Sequence, residues 1–188
     1  LTMGVVIPTT GFLMDKFTTR QIFLASSGMF LAGTVLAALA PAFGVLLVGR
    51  VFQAAGTALM IPTLMMVAMT LVPPQRRGSV MGIISVVISV APALGPTVGG
   101  FVLSMSSWHV IFWTMVPLLG LICAAGYFRL VNVGDKRDTP LDFPSVVLSV
   151  IAFGGLVYAV SSLENMLEGD GLVDIVVLIV GLVAVAIF

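Results

Sequence analysis

Charge is what this sequence has least of: 9% of its 188 residues are Asp, Glu, Lys or Arg, eight of each sign, for a formal net charge of zero. Soluble domains carry about a quarter. With no basic face, the chain is not expected to bind nucleic acid. Cys123 is the single cysteine and sits in an apolar stretch, which excludes an internal disulfide and a multi-cysteine metal site. There is no HExxH, GxSxG or phosphate loop, and no paired carboxylate within an apolar run, so catalysis, a resident cofactor and a metal site have no support. What is present is apolar: 60% hydrophobic residues and a mean hydropathy of +1.22, the balance of a polytopic membrane protein.

Apolar run length and punctuation place spans near residues 1–14, 22–40, 44–72, 78–103, 109–128, 143–161 and 173–188. The runs are continuous and about twice the roughly ten-residue alternating segments of outer-membrane barrels, so the expected fold is all-α. Pro41 to Phe43, Pro73 to Arg77 and Ser104 to Trp108 read as short turns. Basic residues occupy alternate connections: Lys16 and Arg20, Arg76 and Arg77, then Arg129, Lys136 and Arg137. Cytoplasmic loops retain Lys and Arg, which puts residues 15–21, 73–77 and 129–142 inside. Glu164, Glu168, Asp170 and Asp174 then fall around an outer connection. Fourteen residues precede Asp15, fewer than the roughly 20 that cross the hydrocarbon core, so the expectation is a fragment whose first span lacks its beginning. The stretch from Arg129 to Asp142 is the candidate link between two structural units.

Three segments stand out as carriers of function. Gly11 to Arg20 puts the Asp15 carboxylate at an inner helix end with Lys16 and Arg20 within five residues. Such a carboxylate can accept charge-assisted bonds from an arginine or from helix N-terminal amides and so hold one conformation; the plainer reading is solvated loop charge. Arg50 lies about seven residues from the outer end of its span, roughly 10 Å deep at 1.5 Å per residue. A charge at that depth faces a cavity or partner, or else snorkels outward; Gln53 and Gly56 follow it at helical spacing. The span from Gly78 to Leu103 holds Pro92, Gly95, Pro96, Gly99 and Gly100. Gly95 and Gly99, four apart, offer a groove for close helix approach, and the prolines delete backbone donors and predict a bend. Pro62 adds a similar irregularity to the third span. Trp108, Trp113 and Tyr127 suit interfacial belts, and His109, with no carboxylate near it in sequence, reads as interfacial rather than as a proton carrier.

Together these segments resemble the major facilitator superfamily, specifically its fourteen-span drug:proton antiporter group. The family's loop pattern G-x-L-x-D-R-x-G-R-K is matched by Gly11, Leu13, Asp15, Lys16 and Arg20, with Thr18 and Thr19 at a glycine and a basic position. R-x-x-Q-G-x-G is matched by Arg50, Gln53 and Gly56, with Ala54 at its first glycine, and G-P-x-x-G-G by Gly95, Pro96, Gly99 and Gly100. The resemblance numbers the spans second through eighth. It implies a partial N-terminal six-helix bundle over residues 1–128, a cytoplasmic linker over 129–142, and two additional transmembrane helices over 143–188. It further implies a multi-pass plasma-membrane protein exporting hydrophobic or cationic drugs in exchange for protons by alternating access. Its partners would be a drug-like small molecule, protons, the lipid bilayer, and the first span and C-terminal bundle of the same chain. A symporter or metabolite exporter would share the fold. A membrane enzyme or sensor would need a catalytic constellation or soluble output domain, for which no motif is present.

Overall fold

The structure, a computed structural model, describes residues 2–130, 132–133, 143–161 and 172–187. Most of the linker and the acidic residues Glu164, Glu168 and Asp170 lie outside the described residues, as does the Asp174 side chain. The described residues form α1 (Thr2–Lys16), α2 (Thr19–Ala38), α3 (Phe43–Leu71), α4 (Pro74–Met105), α5 (Trp108–Arg129), α6 (Phe143–Ser161) and α7 (Leu172–Ile187). The chain is a helical membrane protein: α2 to α5 are each long and apolar enough to cross a membrane, and helices satisfy their own backbone in lipid.

Local chemistry sets the helix ends. Thr18 caps α2 in a reciprocal box, its hydroxyl accepting from the Gln21 N–H while the Gln21 side chain accepts from the Thr18 N–H. This gives the threonine at the family pattern's glycine a local role. The turn expected over residues 73–77 is shorter than its composition suggests. Pro74 takes the first helical position, where its missing N–H costs nothing, and Arg76 N–H already donates to the Pro73 carbonyl at 2.9 Å. Arg76 and Arg77 therefore belong to the first turn of α4. The helix runs without a break through Pro92 and Pro96, as α3 does through Pro62.

Two compact units divide the chain, Leu1–Phe17 with Lys136–Phe188 and Thr18–Asp135, and each is described by itself. In the first unit, α6 packs on α1 and α7. Ala152, Gly181 and Ala184 are buried, and a Cβ built on Gly155 would lie 3.2 Å from the Gly181 Cα, so the α6 and α7 backbones touch.

In the second unit, α2 is the central element, packed on α3 and α5. Apart from Ile22, its buried positions are small or polar, among them Ser26, Ser27, Gly33, Thr34 and Ala37. Large apolar side chains such as Phe43, Leu47, Val86 and Phe101 point outward. That inverts a soluble core and fits a lipid solvent, in which helix association rests on close packing of small residues. Gly33, Gly49 and Gly56 make the α2 to α3 contact. A Cβ on Gly33 would lie 2.8 Å from Gln53 N, one on Gly49 2.8 Å from the Gly33 carbonyl, and one on Gly56 3.0 Å from Phe30 N. Gly126 likewise gives up its Cβ to seat the Phe23 ring.

Candidate functional site

Arg50 projects from the N-terminal half of α3 and is exposed, with its guanidinium 5.1 Å from the centre of the Phe112 ring on α5, within cation–π range. Arg50 Nη1 donates to Gln53 Oε1 at 3.3 Å, Gln53 Nε2 donates to Thr34 Oγ1 at 2.8 Å, and the Thr34 hydroxyl donates to the Phe30 carbonyl at 2.8 Å. Each link fixes the next. Because Thr34 gives its proton to a carbonyl, its oxygen must accept, which sets the Gln53 amide with nitrogen toward Thr34 and oxygen toward Arg50. Gln53 and Thr34 are buried, so α3 and α2 share one directional polar thread inside an apolar contact. Gln53 also lies level with the close crossing at Gly33, while Gly56 sits one turn further along against Phe30 and the Ser26 carbonyl. The predicted trio of Arg50, Gln53 and Gly56 thus occupies one α3 surface, and the structure adds Thr34 and Phe112 to it.

No carboxylate occurs between Phe17 and Gly134 in the sequence, where the charged residues are five arginines. Arg50 therefore has no acidic counterpart on α2 to α5. Among the described residues only Gln53 accepts a hydrogen bond from its guanidinium, leaving donors of the planar fork for another group.

At the end of the same unit that holds the turn between α2 and α3, His109 Nε2 lies 3.1 Å from the Ala40 carbonyl and the ring stacks on Trp108. A carbonyl only accepts, so Nε2 carries the proton in that contact. Trp108 and Leu46 pack against the buried cluster of Ala37, Ala38 and Phe112. His109 is thus a staple between α5 and the turn after α2.

The other end of the unit holds Arg20. Its Nη2 donates to the Tyr127 carbonyl at 2.6 Å, its guanidinium lies 4.9 Å from the Tyr127 ring, and its backbone N–H donates to Asn132 Oδ1 at 3.3 Å. The Thr19 hydroxyl donates to the Val133 carbonyl at 2.7 Å. The Arg20 N–H in the first turn of α2 and the Tyr127 carbonyl in the last turn of α5 are therefore both satisfied, and a cation sits at a helix C-terminus, where the dipole favours it. Asn132 and Val133 were not legible as partners, since they lie 112 and 114 positions away.

Gly11, Leu13, Asp15 and Lys16 lie within α1 itself, which continues to Lys16. Only Phe17 and Thr18 separate α1 from α2. Asp15, half-buried, sits at the negative end of the α1 dipole, an end that favours cations such as Lys16. A carboxylate placed there gains from a cationic or N–H partner.

The proline and glycine segment of α4 stands apart. No residue of α4 is buried, and a Cβ on Gly82, Gly95, Gly99 or Gly100 would meet nothing within 4 Å. The close approach anticipated at Gly95 and Gly99 is not made among the described residues. It is made instead at Gly33, Gly49 and Gly56, where α2 and α3 cross.

The sequence profile of the Major Facilitator Superfamily matches residues 1–188. The chain is 39% identical over its full length to the uncharacterized MFS-type transporter YcnB of Bacillus subtilis, covering 40% of that protein. It is 42% identical over 97% of its length to the lincomycin resistance protein LmrB of Bacillus subtilis, covering 39% of it. It is 31% identical over 88% of its length to the putative multidrug resistance protein MdtD of Salmonella paratyphi B, covering 35% of it. The chain thus spans about two fifths of the length of YcnB and LmrB.

Proposed function

The chain belongs to the Major Facilitator Superfamily, and from that premise we propose that it is part of a secondary active transporter that exports hydrophobic or cationic drugs in exchange for protons. Transport proceeds by alternating access of a multi-pass protein in the plasma membrane. Residues 1–128 contribute part of the N-terminal bundle and residues 143–188 two additional spans. The similarity to proteins named for lincomycin and multidrug resistance supports the substrate class and makes lincomycin the first compound to try.

The observation that carries the proton half of this reading is Arg50. It lies within a span, is tied through Gln53 and Thr34 to the α2 backbone, and has no acid on α2 to α5. A proton-carrying carboxylate brought to the guanidinium from the first span or second bundle would have its charged form favoured, and separation would reverse this. Proton release would then follow helix movement. Asp15, at the unfavourable end of the α1 dipole, acts with Gly11, Leu13, Lys16 and Arg20 as the inner latch. Pro92, Gly95, Pro96, Gly99 and Gly100 supply the bare face along which α4 slides against helices of the whole protein.

The test is drug uptake into everted vesicles carrying the full-length protein, with the proton gradient imposed or collapsed. Uptake that needs the gradient and falls in Asp15→Asn at unchanged membrane abundance supports the reading. Uptake indifferent to the gradient removes proton coupling. Failure to move any hydrophobic or cationic compound removes the drug assignment.

A further inference from the structure

The second compact unit contains an apolar cavity of about 500 Å³ to which the transport reading gives no role, lined by Thr19 and Phe23 of α2, Met60, Thr63 and Val67 of α3, and Ile88 of α4. None of its lining residues is charged, and its two hydroxyls already donate to the carbonyls of Val133 and Leu59. A guest gains contact there but little hydrogen bonding. Val67 lies seven positions beyond Met60, about 10 Å along α3. Thr19 opens α2, and Val67 lies one turn from the end of α3. The cavity therefore runs from the end of the unit toward mid-membrane, within the roughly 15 Å of one leaflet.

Charge gathers at that same end. The turns after α3 and α4 are two residues long. Contacts from Arg20 to Tyr127 and from His109 to Ala40 set α2 and α5 antiparallel. The α2 and α4 N-termini and the α3 and α5 C-termini thus share one end, which holds Arg20, Arg76, Arg77 and Arg129, with no acid from Phe17 to Gly134. Arg20 is engaged by Tyr127 and Arg77 Nε by the Val72 carbonyl at 3.1 Å. The Arg76 and Arg129 side chains are exposed and make no hydrogen bond to protein among the described residues. Arg129 precedes Leu130, which also lines the cavity.

We propose that this cavity holds an acyl chain of an anionic phospholipid of the inner leaflet, with Arg76, Arg77 and Arg129 binding its phosphate. A free anion would satisfy the arginines and leave the cavity unfilled; an uncharged apolar compound would do the reverse. An amphiphile with a tail and an anionic head meets both. The inference rests on the orientation given by the basic loops and is independent of what is transported.

The test is lipid retention by the full-length protein purified in detergent, measured by native mass spectrometry with equimolar phosphatidylglycerol and phosphatidylcholine of identical chains. The wild type is expected to retain phosphatidylglycerol selectively. An arginine near an anionic surface contributes about five-fold in binding, so Arg76→Gln with Arg77→Gln should lower phosphatidylglycerol retention roughly twenty-fold and leave phosphatidylcholine unchanged. Ile88→Trp, which fills the cavity from an exposed helix, should lower both. If the double variant loses its melting transition, Arg76→Gln alone, at an exposed position, carries the test. Equal retention of the two lipids by the wild type, or retention indifferent to both sets of substitutions, overturns the proposal. So does displacement of the bound lipid by lincomycin, which would make the cavity a drug site.

Discussion

Replacing Gly33 with alanine places one methyl group where α2 and α3 touch backbone to backbone. The added carbon would lie 2.8 Å from Gln53 N and 2.9 Å from Phe52 Cβ, against the 3.5–4.0 Å at which carbon contacts are favourable. Two of the facing atoms are main chain, including the Gly49 carbonyl, so no rotamer change relieves the clash and the helices must separate by roughly 1 Å. Overpacking of this kind costs about 1–3 kcal/mol. The same separation carries the 2.8 Å Gln53 to Thr34 bond past hydrogen-bonding distance, forfeiting about 0.6 kcal/mol and at most about 1.7. The expected destabilisation is about 2–4 kcal/mol, a fall in Tm on the order of 2–4 °C in a protein as long as the relatives of which the chain covers 40%, read by thermal unfolding of the full-length protein in detergent. Gly95→Ala is the matched control: it meets nothing within 4 Å, and alanine is the better helix former by about 0.5–1 kcal/mol. A Gly33→Ala protein that melts with the wild type, or one that falls no further than Gly95→Ala, refutes the close crossing.

The remaining predictions concern the charged residues and α4. Arg50→Lys keeps the charge but loses the planar fork that reaches Gln53, so proton-coupled uptake should drop at least ten-fold at normal abundance; wild-type coupling would favour simple snorkelling. Gly95→Leu with Gly99→Leu should block turnover in vesicles by filling the face along which α4 slides; normal turnover at unchanged membrane abundance would sink the sliding role. Arg20→Ala removes the 2.6 Å bond to the Tyr127 carbonyl and the stack on its ring. Because that contact is partly exposed, its loss should cost only about 1 kcal/mol, and faster hydrogen exchange at the start of α2 is the local signature to measure.

The seven helices found among the described residues, and their order, were legible in the sequence alone. An apolar run in lipid has to bond its own backbone, so run length and punctuation settle each helix locally, and basic residues in alternate connections suggest its direction. The three motif segments were enough to indicate the family, because those patterns are local strings. Pairing across helices was not legible. Small residues four apart occur on α4, at Gly95 and Gly99, and Gly33 stands four before Ala37 on α2, but a one-dimensional string does not say which face meets a neighbour. Tertiary structure chose Gly33, Gly49 and Gly56, where backbones approach within a Cβ's breadth, and left α4 bare. It likewise gave Gln53 its partner Thr34 across 19 positions and Arg20 its partner Tyr127 across 107. In lipid, helix formation is decided within a segment, whereas the close contacts and polar threads that join segments depend on residues that only the packed structure brings together.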